Sequence, residues 1–204
     1  MYRKILTAEL FAVLAICVWI GVSEAAVSDI SSGIVRLHIL ANSDSEEDQR
    51  LKTDVRDRIL AYVREQNEGC EKLYMLSHLE EILAVCREEI AEQGYSYAVR
   101  AETGRFYFPT KHYQQITLPA GEYDAVRIMI GEGRGQNWWC VMYPPLCFTH
   151  ETRGELTEEE MAKLAEGMRA ESFGMIADTE EKIKLKPALR LVEWWQEAKH
   201  ALKK

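Results

Sequence analysis

Apolar positions recur with two different periods along this chain, and the period changes near residue 95. Residues 34–40 alternate apolar and polar positions, which predicts a first β-strand. In residues 46–66, and again up to Gly94, apolar side chains recur every third or fourth position, which predicts two amphipathic helices. Glycine at position 94 is a natural C-terminal stop for the second helix. The two apolar stripes consist of Leu51, Val55, Ile59 and Val63, and of Leu76, Leu79, Leu83, Cys86 and Ile90.

After residue 95 the apolar period is two, which predicts strands joined by short turns. A turn is predicted at Thr103 and Gly104, because this pair interrupts the alternation. Residues 123–130 carry few polar side chains, so we expect this strand in the middle of a sheet. The predicted strands span residues 95–101, 105–108, 116–118, 123–130 and 138–143.

The order of these elements predicts an α+β domain over residues 31–148, with two helices packed on a mostly antiparallel sheet of about five strands. Residues 149–204 are predicted as a helical C-terminal extension, in which a capping box begins at Thr157 and Pro187 fits the first turn of a last helix. This last helix is amphipathic. It either docks on the domain or lies on a membrane or partner surface, since tryptophan beside lysine suits an interface.

The N-terminal residues indicate export. Arg3 and Lys4 precede an apolar run over residues 10–22, and the small residues Ser23 and Ala25 occupy the −3 and −1 positions of a cleavage site. This layout predicts that residues 1–25 are a cleaved secretory signal peptide, with an uncleaved single-span anchor as the alternative. Both place the rest of the chain outside the cytoplasm, because basic flanking residues stay inside.

Charge and cysteine usage narrow the possible partners. A net charge of −8 argues against nucleic acid, and five scattered histidines without a C-x-x-C pair predict neither a metal nor a cofactor. Outside the cytoplasm cysteines can oxidise. Cys140 and Cys147 are the pair we predict as a disulfide, because the turn between them shortens their separation. Cys70 and Cys86 lie in a helical region, where buried thiols are at least as plausible.

The chemically most unusual stretch is residues 131–148, which combines alternate glycines, adjacent tryptophans and a proline pair. In an extended strand Trp138 and Trp139 point to opposite faces, so we expect one in the core and the other displayed outward. The ordinary alternative is a strand and turn packed by aromatic side chains. The predicted partner-binding residues are Gly131, Glu132, Gly133, Gly135, Asn137, Trp138, Trp139, Pro144 and Pro145.

No catalytic constellation is predicted. Cys140 could act as a nucleophile with His38 or His112, but a disulfide is the better account of this cysteine in an oxidising compartment. Ser43 and Asp44 could form a hydrolase site with His38, but helix capping explains them and no nucleophile-elbow pattern is present. The glycine-rich loop is not a nucleotide-binding loop, because no helix pattern follows it.

Five blocks of sequence carry a family resemblance. They are VRLHILANSDSEEDQRLK (35–52), VRDRIL (55–60), YFPTKHY (107–113), PAGEYDAVRIMIGEGRGQNWWCVMYPPLCF (119–148) and VEWW (192–195). With these blocks the chain resembles the stage II sporulation protein R family of spore-forming bacteria. The match covers most of residues 34–148, and the block at 119–148 makes it specific.

The resemblance implies a signalling protein without enzymatic activity. Such proteins are made in the forespore and exported into the space between forespore and mother cell. There they trigger a membrane-embedded aspartic protease of the mother cell, which processes the sigma-E precursor. The alternative from a different class is an exported cell-wall-directed enzyme or sugar-binding protein.

Overall fold

The computed structural model describes residues 2–66, 76–113, 115–144, 156–177 and 186–202. Within these ranges the helices are α1 (Tyr2–Ser32), α2 (Glu46–Glu65), α3 (Leu79–Glu92), α4 (Glu158–Glu166), α5 (Ala170–Ile176) and α6 (Lys186–Leu202). The strands are β1 (Val35–Leu40), β2 (Val99–Phe108), β3 (Lys111–His112), β4 (Thr117–Leu118), β5 (Gly121–Ile130) and β6 (Asn137–Tyr143).

Four of the strands form one sheet in the order β2-β5-β1-β6. β1 and β5 are parallel, whereas β2–β5 and β1–β6 are antiparallel. β3 and β4 form a separate two-stranded ribbon. The predicted α+β class with a mostly antiparallel sheet is confirmed. The central position of residues 123–130 is confirmed as well, because β5 pairs on both of its sides.

The turn predicted at Thr103 and Gly104 is wrong. Both residues lie inside the single long strand β2, opposite Val126 and Ala125 of β5. Gly104 is not among the glycines with positive φ, so it keeps extended backbone geometry. A ten-residue partner strand supplies a continuous hydrogen-bonding ladder, and this tertiary pairing overrides the weak local turn signal of a Thr-Gly pair.

One face of the sheet packs against α2 and α3. Their stripes enter the core as predicted, and α3 is followed by Gly94 at φ 82°, the expected stop. The Oγ of Ser45 accepts a hydrogen bond from the Asp48 backbone N–H at 3.2 Å, which caps α2. This first core is built on Leu37, Ile39, Val126, Ile128, Leu51, Val55, Ile59, Leu83, Cys86 and Ile90.

The opposite face of the sheet carries a second core. It is covered by the end of α1, the β3–β4 ribbon, α4 and α5, and its members include Ile30, Ile34, Phe108, Leu118, Tyr123, Val141, Leu164 and Ile176. Thr157 begins α4 with the predicted capping box to Glu160. Leu156, Leu164 and Ile176 belong to this second core, so residues 156–177 share a core with the sheet. The domain boundary at residue 148 stays a prediction.

Candidate functional site

Two loops meet at one edge of the sheet. β1 and β5 are parallel, so the chain leaves both strands at the same edge, and β6 begins there. Residues 41–45 follow β1, and residues 131–137 follow β5 and open β6. We call these two segments together the paired-loop surface.

Backbone hydrogen bonds hold the two loops together. Gly135 N–H donates to the Ala41 carbonyl at 2.9 Å, and Arg134 N–H donates to the Asn42 carbonyl at 3.2 Å. Side chains of the first loop complete the pairing. The Asn42 Oδ1 accepts from Glu132 N–H at 3.0 Å, and the Asp44 Oδ1 accepts from Gln136 N–H at 2.7 Å. The glycine-rich loop is therefore a braced element with few unpaired backbone groups.

Two of the glycines are required by the close approach of the loops. Gly131 has φ 57°, and a Cβ at this position would lie 2.3 Å from the Asn42 Oδ1. At Gly135 a Cβ would lie 2.2 Å from the Ser43 carbonyl oxygen. Gly133 also has positive φ, at 64°, but a Cβ there would meet only ordinary contacts. The glycine pattern thus serves backbone packing between two loops.

A buried carboxylate supports the first loop from below. Asp48 is 4% exposed, and its Oδ2 accepts from Asn42 Nδ2 at 2.8 Å and from Ser43 Oγ at 2.5 Å. Burial raises the pKa of Asp48, but the hydrogen bonds from Ser43, Asn42, Tyr97 and Ser45 outweigh it and hold the pKa below its ordinary value. The Asp48 side chain therefore stays ionised and keeps the loop in place.

Lys52 supports the second loop in a similar way. Its Nζ donates to the Gln136 carbonyl at 3.0 Å and to the Gln49 Oε1 at 2.6 Å. The amide of Gln49 in turn donates to the Ser43 carbonyl at 2.8 Å. The first two turns of α2 are therefore a platform under both loops.

The two tryptophans alternate as predicted, but neither is displayed outward. Trp138 is partly buried on the α2 side, where the Arg56 guanidinium lies 4.4 Å from its ring centroid. Trp139 is partly buried on the other side. It stacks on His38 with ring centroids 3.8 Å apart and meets Phe108 edge-on at 4.8 Å. The expectation of an outward tryptophan is wrong because each face of the sheet carries a packed layer.

His38 is a packed, neutral side chain. It is 6% exposed, and its Nε2 lies 2.7 Å from the Asn137 Oδ1. Burial lowers the pKa of His38, more than the hydrogen bond to Asn137 raises it. The carbonyl oxygen of Asn137 can only accept, so Nε2 carries the proton and donates. The pair orients the first residue of β6.

This burial gives a pH prediction. A histidine in the unfolded chain titrates near pH 6.5, whereas His38 in the folded chain takes up its proton only at lower pH. Below about pH 6.5 the unfolded state therefore binds more protons, and the free energy of unfolding should fall between about pH 7.5 and 5.5. In urea denaturation, the free energy of unfolding of His38→Gln should depend less on pH over this window than that of the wild type. A wild-type slope in His38→Gln would contradict the buried, neutral state of His38.

The cysteines do not assemble with histidine. Cys140 packs into the first core, whereas the His38 ring packs on Phe108 of the second core, so the sheet separates them. Cys140 is disulfide-bonded. Its predicted partner Cys147 lies outside the described residues, as does Cys70, so the pairing stays a prediction. Cys86 is a free, buried thiol, and burial raises its pKa to about 12.

Pro144, another predicted contact residue, does not lie at this site. Pro144 is buried and follows β6, about 20 Å from the glycine-rich loop at roughly 3.3 Å per strand residue. Pro145 lies outside the described residues. Within the described ranges no group of three or more histidine, cysteine or acidic side chains could hold a metal ion.

Sequence reasoning missed the first loop as part of the site. The local pattern indicates only helix capping for Asn42, Ser43 and Asp44, and only helix positions for Asp48 and Lys52. The available signal was a polar cluster directly after a buried strand, together with a loop whose glycines require close approach of other backbone. Connecting the two needs the β1–β5 pairing, which no local pattern contains.

The fold and the site define an α+β protein with an apolar N-terminal helix and a braced loop surface. The family model of stage II sporulation protein R matches residues 31–153, and the chain belongs to this family. The stage II sporulation protein R of Bacillus subtilis (strain 168) is 39% identical over 142 residues, which cover 67% of this chain and 63% of that relative. No solved structure matches the chain.

Family membership confirms the resemblance found in the sequence. The chain aligns with somewhat less than two thirds of the length of its Bacillus relative. Both segments of the paired-loop surface lie inside the range that the family model matches.

Proposed function

We propose that the protein is an exported sporulation signal that is made in the forespore and activates a membrane-embedded aspartic protease of the mother cell. The activated protease then processes the sigma-E precursor. The observation that carries this proposal is the braced paired-loop surface in a chain of the sporulation family. A protein that acts by contact needs a preformed surface, and four hydrogen bonds join the two loops of this surface.

The paired-loop surface suits protein recognition for two reasons. Its backbone is already ordered by hydrogen bonds, so little conformational entropy is lost when a partner binds. Its exposed side chains carry charges of both signs, which favours a specific complementary partner. The exposed side chains are Asp44, Ser45, Glu132, Arg134, Gln136 and Asn137.

For the alternative of a sugar-binding protein, an exposed tryptophan pair would offer a platform for stacking on wall sugars. Trp138 and Trp139 are instead partly buried, each against its own layer. The paired-loop surface offers polar groups without an aromatic face.

Arg134 provides the sharpest test of the contact assignment. Its side chain is 80% exposed and pairs only loosely with Glu132, at 3.3 Å, while its backbone N–H makes the structural hydrogen bond. Arg134→Glu should therefore leave folding unchanged but reverse the charge presented to the partner. We expect precursor processing to fall at least tenfold when the variant is produced with the protease and its substrate in one heterologous cell.

Lys163→Glu is the matched control, because Lys163 is an exposed cation on α4, away from the two loops. It should process the precursor at the wild-type level. A folded, exported Arg134→Glu variant with full activity would show that the paired-loop surface does not contact the partner. Processing that is independent of the wild-type protein would instead contradict the protease-activation proposal itself.

A further inference from the structure

The N-terminal helix has two parts with opposite environments. Within residues 6–22 eight large apolar side chains are more than half exposed, and the apolar segment Glu9–Ser32 has a mean hydropathy of 2.2. The exposed side chains are Leu6, Leu10, Phe11, Val13, Leu14, Ile16, Val18 and Val22. They surround the helix, as expected of a helix in contact with lipid.

The second part of α1 belongs to the folded domain. Ile30 is 1% exposed and joins the second core, and Ala26 and Val27 are 6% and 7% exposed. Asp29 accepts a hydrogen bond from the Arg169 backbone N–H at 2.9 Å and forms an ion pair with the Arg169 side chain at 3.2 Å. Residues 23–32 are therefore a structural element of the domain, continuous with the apolar part.

A polar clasp joins α1 to α6 where the apolar part ends. The Glu24 Oε1 accepts from Lys199 Nζ at 2.7 Å and from Trp195 Nε1 at 3.2 Å. Glu24 comes two residues after Val22, the last of the exposed apolar side chains. α6 therefore lies beside α1 at the level where α1 leaves the domain.

α6 also exposes apolar side chains at this level. Trp194 is 66% exposed and Leu202 is 89% exposed, and they are the only large exposed apolar side chains outside α1 among the described residues. Tryptophan and lysine are the residues that anchor helices at a membrane interface. The exposed side of α6 is thus placed at the depth of lipid headgroups if the apolar part of α1 spans a bilayer.

We propose that α1 is retained as a membrane anchor built into the domain, and that α6 lies on the outer surface of the same bilayer with Trp194 in the interface. Residues 5–22, which follow Arg3 and Lys4, form a helix roughly 27 Å long at 1.5 Å per residue, close to the hydrocarbon thickness of a bilayer. Glu9 lies near the basic cytoplasmic end of this span. The proposal concerns attachment to the membrane and holds whether or not the partner is a protease.

The predicted cleavage after Ala25 conflicts with this arrangement. The bond between Ala25 and Ala26 lies inside a continuous helix, between the clasp at Glu24 and the buried Val27. Cutting it requires the helix to unwind at this point. Removing residues 1–25 would also leave Trp195 and Lys199 without the carboxylate that holds them.

Intact-mass spectrometry of the untagged full chain tests retention. The chain is expressed with its own N-terminal segment, and membranes are extracted at alkaline pH. We expect the protein in the membrane pellet with residues 1–25 still attached. A soluble product whose mass begins at Ala26 would overturn the anchor.

Fluorescence quenching tests the position of α6. The full chain with Trp19→Phe, which removes the tryptophan of the apolar part, is reconstituted in vesicles of phosphatidylethanolamine and phosphatidylglycerol containing brominated lipid. We expect brominated lipid to quench its fluorescence, and the additional change Trp194→Phe to reduce that quenching at least twofold. Unchanged quenching would show that α6 does not lie on the bilayer surface. Neither measurement involves the protease, so both results are independent of the proposed signalling function.

Discussion

Gly135→Ala is expected to lower the free energy of unfolding by about 2–3 kcal/mol, because it overfills the contact between the two loops. The added Cβ would lie 2.2 Å from the Ser43 carbonyl oxygen and 2.8 Å from the Ala41 Cβ. These atoms belong to backbone or stand directly on it, so no side-chain rotation relieves the clash. One loop has to move, and the hydrogen bond from Gly135 N–H to Ala41 is then strained or lost. Urea denaturation measures the change.

Gly174→Ala is the control for this substitution. Gly174 lies in α5 without positive φ, and a methyl group added there would meet no other atom within 4 Å. Alanine at this position should be neutral or raise the free energy of unfolding by about 0.4–1 kcal/mol, because it restricts the unfolded chain. Gly135→Ala should thus lower the free energy of unfolding, whereas Gly174→Ala should not. A Gly135→Ala protein as stable as wild type would show that the loops are not in the contact described.

Trp139→Ala is expected to cost about 2–3 kcal/mol of folding free energy, somewhat less than a fully buried tryptophan because the side chain is only partly buried. The change removes the stacked contact with His38 and the edge contact with Phe108. It also opens space beside Phe108, whose ring centroid lies 4.5 Å from the Arg36 guanidinium. Thermal and urea unfolding should show the loss.

Trp194→Ala is the matched comparison, since the same side chain is 66% exposed on α6. In detergent-free conditions without vesicles its effect on unfolding should stay within about 0.5 kcal/mol. Equal effects of the two substitutions would contradict the packing of Trp139 on the second core. If Trp139→Ala destabilises the protein, loss of signalling in that variant reflects loss of folded protein. Arg134→Glu, which leaves folding unchanged, is therefore the better test of contact with the partner.

Local elements of this fold follow directly from sequence patterns. The stripe Leu51, Val55 and Ile59 predicts the buried face of α2, and Gly94 predicts where α3 stops, since both depend on neighbours within a turn or two. The capping box of Thr157 and Glu160 is confirmed for the same reason. By contrast, the turn at residues 103–104 is wrong, because the continuous ladder with β5 determines the path of β2.

Sequence patterns indicate only one of the two loops that form the candidate site. The unusual glycines of the second loop mark a constrained turn, but Asn42 and Asp44 are far away along the chain, at separations of 90 and 92 from the groups that they bind. Sequence periodicity reports environments within one element and carries no information on which strands are neighbours. The expected display of a tryptophan is wrong for a similar reason, because a second covering layer comes from α1, α4 and α5.

The sequence by itself determined α2, α3, α4, α6 and most strands, the apolar N-terminal segment and the family. These depend on local periodicity, turn residues and long matching blocks. Only the tertiary structure decided that residues 41–45 brace the glycine-rich loop, that both tryptophans pack inward, and that α1 continues into the second core. Each of these depends on strand order and layer packing, in which hydrogen bonds and apolar contacts join residues far apart in the chain.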